Sequence, residues 1–130
     1  MSTRATLSVA DDYDSFDIYR HHDGYPNSPH GVIHDINEAR KLAWPWPRFQ
    51  ADDYAAALIA TMKKGAGSVY LTKGAAEHAD RAFHYDISKG EEELQVKVSE
   101  YSSRVHDVVP IWEGALSEAM EKFDAAVEID

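Results

Sequence analysis

Polar and apolar residues alternate through Thr3-Arg4-Ala5-Thr6-Leu7-Ser8-Val9, a period of two that places every second side chain on one face of a strand. Asp11-Asp12-Tyr13-Asp14-Ser15 follows with turn chemistry, since Asp and Ser side chains bond their own backbone. Phe16 to His21 resumes the alternation, with Phe16, Ile18 and Arg20 on one face and Asp17, Tyr19 and His21 on the other. The two segments read as a β-hairpin of 3–9 with 16–21. Tyr25-Pro26-Asn27-Ser28-Pro29 is a breaker-rich loop whose prolines restrict the backbone. From Gly31 the period lengthens to that of a helix, with Val32, Ile33, Ile36, Ala39 and Ala43 on one stripe and Leu42 beside it. Pro45 requires that helix to end by Trp44.

After Trp44-Pro45-Trp46-Pro47, a second helix opens at Ala51 or Asp52, with Asp52 and Asp53 at its positive end. Ala55, Leu58, Ile59 and Met62 form its buried stripe, Lys63-Lys64 its last turn, and Gly65 its stop. Strands are expected at 68–72, 82–87 and 94–99, the last two joined through Ser88-Lys89-Gly90-Glu91. A further strand at 105–112 contains Pro110, which marks it as an edge or bulged strand. A helix over 115–127 closes the chain, burying Leu116, Ala119, Met120, Phe123 and Val127. The order β-β-α-α-β-β-β-β-α predicts one α+β domain over 1–130: a mostly antiparallel sheet of about five or six strands with three helices mainly on one side.

The chain has 130 residues and no cysteine, which excludes disulfides, thiolate metal sites and a cysteine nucleophile. No apolar run reaches the roughly 20 residues that cross a bilayer, and the first residues lead into a strand pattern, so a cytoplasmic protein is expected. The formal net charge is −10, unevenly placed: residues 1–90 carry 12 acidic and 10 basic side chains, residues 91–130 carry 11 and 3. Such a surface repels phosphate backbones and attracts basic grooves, so direct nucleic-acid binding is not expected. A solvated face that keeps the protein soluble is the plainer reading of the same charge.

Three groups of residues could carry chemistry. His21, His30 and His34 could supply nitrogen ligands to zinc or nickel, although no metal signature matches and His-x-x-x-His alone is common. Arg20, His21 and Asp23, flanked by Tyr19 and Tyr25, could grip a phosphate; alternatively Arg20 and Asp23 pair to brace the corner and His21 caps a backbone group. No glycine-rich phosphate loop or recognisable nucleophile turn completes a catalytic site. Trp44 and Trp46 are candidate partner contacts, or rings draped over the core. Glu113, Glu118, Glu121, Asp124 and Glu128 give the last helix and its approach an acidic outer face that could imitate a run of phosphates.

The octapeptide Tyr19-Arg20-His21-His22-Asp23-Gly24-Tyr25-Pro26, followed by Gly31 and a helix, resembles a family of small uncharacterised proteins of phages, prophages and bacteria that share Tyr-Arg-His-x-Asp-Gly-Tyr-Pro. The resemblance covers the first hairpin and helix and extends weakly over Trp44 to Met62. It implies a setting of mobile elements and host conflict, and no activity. The expectation is a non-enzymatic accessory protein, without cofactor, that binds and inhibits a host protein with a basic groove, such as a CRISPR complex or another nucleic-acid-handling defence effector in a bacterial cytoplasm. The alternatives are a protein that sequesters a nucleotide signal through Arg20, His21 and Tyr25, and a metal-dependent enzyme built on His21, His30 and His34.

Overall fold

The computed structural model describes residues 3–124. β1 (Ala5–Ala10) and β2 (Ser15–Arg20) form the expected hairpin, antiparallel from Ala5 opposite Arg20 to Ala10 opposite Ser15. Asp11 makes its turn: Oδ1 accepts the N–H groups of Tyr13 and Asp14 at 2.8 and 2.7 Å. α1 (Val32–Ala39) and α2 (Ala51–Met62) follow, then β3 (Val69–Thr72) and a single 3-10 turn at Ala75–Glu77. β4 (Phe83–Lys89), β5 (Leu94–Ser102), β6 (Asp107–Ala115) and α3 (Leu116–Lys122) complete the described chain.

All three helices end earlier than the sequence suggests, each for a local reason. Past Ala39, the N–H groups of Lys41 and Leu42 donate to carbonyls three residues back, so the chain tightens into a turn and Leu42 is left exposed. α2 stops at Met62 because Lys63 turns extended. Gly65 is not its left-handed terminator: the N–H groups of Lys64 and Gly65 donate to Ser68 Oγ, and the positive φ falls at Gly67. Among the described residues α3 ends at Lys122, where the Phe123 carbonyl accepts the Ser28 N–H at 2.9 Å and the backbone leaves helical geometry. Val127 and Glu128 lie outside the described residues.

The six strands form one sheet in the order β3-β2-β1-β4-β5-β6. Every neighbouring pair is antiparallel except β1 with β4. The alternation delivers Ala5, Leu7, Val9, Ile18, Tyr85, Ile87, Val96 and Val98 to one face, where they form a single core with Val32, Ile33, Ile36, Leu58 and Leu116 of the helices. Tyr85 is fully buried there; burial pushes its phenol well above the usual range, and its hydroxyl donates to the Gly24 carbonyl at 2.6 Å. Pro110 sits on edge strand β6, and the β5–β6 register shifts beside it, opposite Ser99. The domain is α+β with a mostly antiparallel sheet.

The parallel β1–β4 pair follows from the connection after β3. Residues 73–82 cross β2 and β1 on the face away from the helices before β4 begins. This strap is pinned by Ala75 N–H on Asp17 Oδ2 (3.2 Å), by His78 stacked on Tyr19 with centroids 4.4 Å apart, and by Arg81 donating to Thr6 Oγ1 (3.1 Å). Thr6 and Tyr19 are buried under it although they lie on the polar side of the sheet. No helix among the described residues is long and apolar enough to cross a membrane.

Candidate interaction surface

The histidine-rich corner is built inward. Arg20 is 6 % exposed, and each of its guanidinium nitrogens donates to a protein acceptor: Nε to the His22 carbonyl (2.7 Å), Nη1 to Asp35 Oδ2 (2.5 Å) and Nη2 to the His30 carbonyl (2.9 Å). Its ionic partner is Asp35 of α1, and not Asp23, because α1 lays Asp35 against the end of β2 while Asp23 turns away at φ 53°. The Asp23 carboxylate instead accepts the Tyr25 hydroxyl at 3.2 Å; burial first, then this carboxylate, raises the Tyr25 pKa. His21 exchanges a hydrogen bond with the Tyr19 hydroxyl through Nδ1 at 2.8 Å, and among the described residues its ring caps no backbone group.

The five residues considered for a small ligand therefore do not surround one cavity. Arg20 and Asp23 border a cleft of about 280 Å³ that also meets His30 and His34. Tyr19 and His21 border a different one, and Tyr25 borders neither. His21 thus borders a different cleft from His30 and His34. Among the described residues no three His, Asp or Glu side chains converge in a geometry that could hold a metal ion.

A second polar cluster lies beside the strap. Arg81 Nη1 donates to Thr6 Oγ1 and contacts His84 Nδ1 at 3.3 Å, while Thr6 Oγ1 lies 2.7 Å from the same nitrogen. A guanidinium only donates, so His84 Nδ1 acts as the acceptor and Nε2 carries the proton. Nε2–H then faces Asp86 Oδ1 at 3.2 Å, and Ser8 donates its own proton to Asp17 at 2.6 Å. Desolvation pushes the Asp86 carboxyl up, but the His84 hydrogen bond and nearby positive charge outweigh it and leave its pKa lowered. Ser8 is 3.5 Å from a nitrogen already protonated, so His84 does not activate it as a nucleophile. These bonds tie the strap to the sheet.

The opposite end of the domain is different. The β1–β2 turn, the β4–β5 turn, and the first residues of α2 and α3 all meet there. Asp11 Oδ2 accepts the Ala51 N–H at 2.8 Å, capping α2 from forty residues away in sequence, and Glu93 accepts both the N–H and the hydroxyl of Ser117. The bond from Ala51, followed by those from Asp14 and Tyr13, holds the Asp11 carboxyl below the usual aspartate range. Asp11, Asp12, Asp14, Asp52 and Glu91 border one cleft of about 790 Å³. Among the described residues Lys89 is its one basic lining residue.

Phe49 and Gln50 connect that cleft to a pocket of about 200 Å³ under the tryptophan loop. Buried Tyr54 and Leu94 floor this pocket, and Trp44 and Trp46 wall it while keeping 42 % and 38 % of their surface exposed. The loop is fixed at both ends: Trp44 N–H donates to Asp53 Oδ2 (2.9 Å), Arg48 N–H to the Pro45 carbonyl (3.1 Å), and the Tyr54 hydroxyl to the Ile36 carbonyl. The Arg48 guanidinium lies 3.5 Å from the centroid of the Trp44 ring.

Of the acidic residues expected on the outer face, Glu118 and Glu121 lie exposed on α3. Glu113 is exposed on β6, Glu118 accepts the Ala115 N–H at 3.2 Å at the start of α3, and Glu121 and Asp124 are exposed. The sequence singled out Trp44 and Trp46, which here wall a pocket, but did not bring Asp11, Asp12, Asp14, Asp52 and Glu91 together as one surface. The signal was present in part, since these residues fall in turns and at a helix start; which turns share an end depends on the parallel β1–β4 pairing. Comparison of the chain with protein-family models, curated proteins and solved structures returned no match.

Proposed function

We propose that the protein acts by binding, without catalysis, and that its target is a protein with a basic surface. The observation that carries this reading is the joining of the acidic cleft to the tryptophan-walled pocket through Phe49 and Gln50. Exposed carboxylates at Asp12, Asp14, Asp52 and Glu91 steer a basic partner and repel phosphate backbones. Half-exposed tryptophans beside them offer large rigid rings of the kind that dominate interface energetics. In the setting implied by the Tyr-Arg-His-x-Asp-Gly-Tyr-Pro resemblance, such a surface suits occupation of the groove in which a nucleic-acid-handling defence effector, a CRISPR complex among them, holds its substrate.

This reading moves the contact from the last helix to the turn end of the sheet. Two variants separate the versions: Asp12→Asn, Asp14→Asn, Asp52→Asn and Glu91→Gln together, and Glu121→Lys with Asp124→Lys. Capture from a bacterial lysate is expected to retain a basic protein on the wild-type chain and on the second variant, and to lose it on the first. Equal retention by wild type and the first variant would overturn the proposal.

A further inference from the structure

We infer that the faces of Trp44 and Trp46 are seats for cationic side chains, filled in the free protein by the chain's own Arg48 and Lys89, and that an arginine of the partner displaces Arg48. The inference rests on the basic-partner reading above and specifies how the partner is gripped.

The geometry supplies the argument. Arg48 stacks on Trp44 at 3.5 Å, and Lys89, which arrives from the end of β4, stands over Trp46 at 5.8 Å. A ring face attracts cations through its quadrupole, and a flat guanidinium stacks on it better than an ammonium. No carboxylate forms an ion pair with Arg48 among the described residues. Arg48 is exposed, so the ring, rather than a buried salt bridge, holds its head group. A contact of that kind can be exchanged for an equivalent one from a partner.

The size and surroundings of the pocket limit the occupant. At about 200 Å³ it falls below the roughly 300–1,000 Å³ of sites for drug-sized molecules and matches a single side-chain head. Arg40 and Arg48 on its rim would repel an incoming cation if they stayed in place, so displacement of Arg48 is part of the inference. The adjoining acidic cleft has room for further basic residues of the same segment.

The test uses a nona-arginine peptide as probe, titrated at low ionic strength into wild type, Arg48→Ala, Trp44→Leu and the double variant. Vacating the seat in Arg48→Ala should tighten binding about threefold, the scale of an exposed cation–π contact. Trp44→Leu should weaken it, and the gain from Arg48→Ala should vanish in the Trp44→Leu background. In the wild type the Trp44 indole resonance should shift on addition of peptide, a readout that needs no variant. If Arg48→Ala tightens binding equally with or without Trp44, the gain is long-range charge and the seat is refuted while the basic-partner reading stands. If Arg48→Ala weakens binding, Arg48 contacts the partner itself and the displacement is refuted. Absence of any peptide binding by the wild type would refute both.

Discussion

Gly24 and Gly31 hold the corner together by lacking a side chain. A Cβ on Gly24 would stand 2.7 Å from Ala5 Cβ and from the Thr3 carbonyl oxygen; one on Gly31 would stand 2.3 Å from the Asn27 carbonyl oxygen and 2.5 Å from that of Tyr25. The carbonyl oxygens among these are already committed, since Gly24 N–H donates to Thr3, Gly31 N–H to Asn27 and Val32 N–H to Tyr25. Gly65 meets nothing within 4 Å. Gly31→Ala is therefore expected to lower unfolding free energy by at least about 2 kcal/mol, and Gly65→Ala to change it by no more than about 0.5 kcal/mol, with a slight gain favoured by the stiffer unfolded chain. Urea unfolding of the two variants checks this; equal effects would contradict the packing described. Around the same corner, Arg20 is an interior brace whose loss would leave Asp35 and two carbonyls without their donor. The resemblance motif thus reads, residue by residue, as a means of joining the first hairpin to the first helix.

Among the elements, α2 depends on a residue outside itself. Asp11 closes the β1–β2 turn with one carboxylate oxygen and caps α2 with the other. Its folded pKa is lowered, first by the Ala51 N–H and then by Asp14 and Tyr13, so its charged form is favoured on folding. The contribution is complete above the unfolded value of about 3.9 and is lost as pH falls through the lower folded value. Asp11→Asn should melt several degrees below wild type at neutral pH, and the difference should close well below the aspartate range. A gap independent of pH would show that the carboxylate charge is not what caps the helix. The elements themselves were largely legible, because strand and helix periods record which side chains reach the core: Leu7, Val9 and Ile18 in one period, Val32, Ile33 and Ile36 in the other. Their ends were less so. Lys63 turning extended and Phe123 giving its carbonyl to Ser28 are tertiary events, and no local pattern announces them.

For the whole molecule, the decisive step is the strap of residues 73–82, which carries the chain across β2 and β1 so that β4 lies parallel to β1. A succession of hairpins was the simplest reading of the strand order, and it conceals this crossing. The crossing decides which turns become neighbours: Asp11 to Asp14 line one cleft with Ser88 to Glu91 and the start of α2. Net charge was readable from composition, but the meeting of Asp11, Asp12, Asp14, Asp52 and Glu91 along one cleft was not, since they come from separate turns and a helix start. The tryptophan segment stood out as a candidate contact because Trp-Pro-Trp-Pro is rigid and aromatic, whereas its junction with the acidic cleft through Phe49 and Gln50 required the fold. The proposed partner surface is a property of topology more than of any one segment.

The most direct test of that surface is a residue-resolved map: amide and indole shifts of the isotope-labelled protein recorded while nona-arginine is added. The account predicts the largest changes at Asp11 to Asp14, Asp52, Gly90 to Glu93 and the indoles of Trp44 and Trp46, fading as salt is raised. Changes centred instead on Tyr19 to Tyr25, or on Glu113 to Asp124, would contradict it.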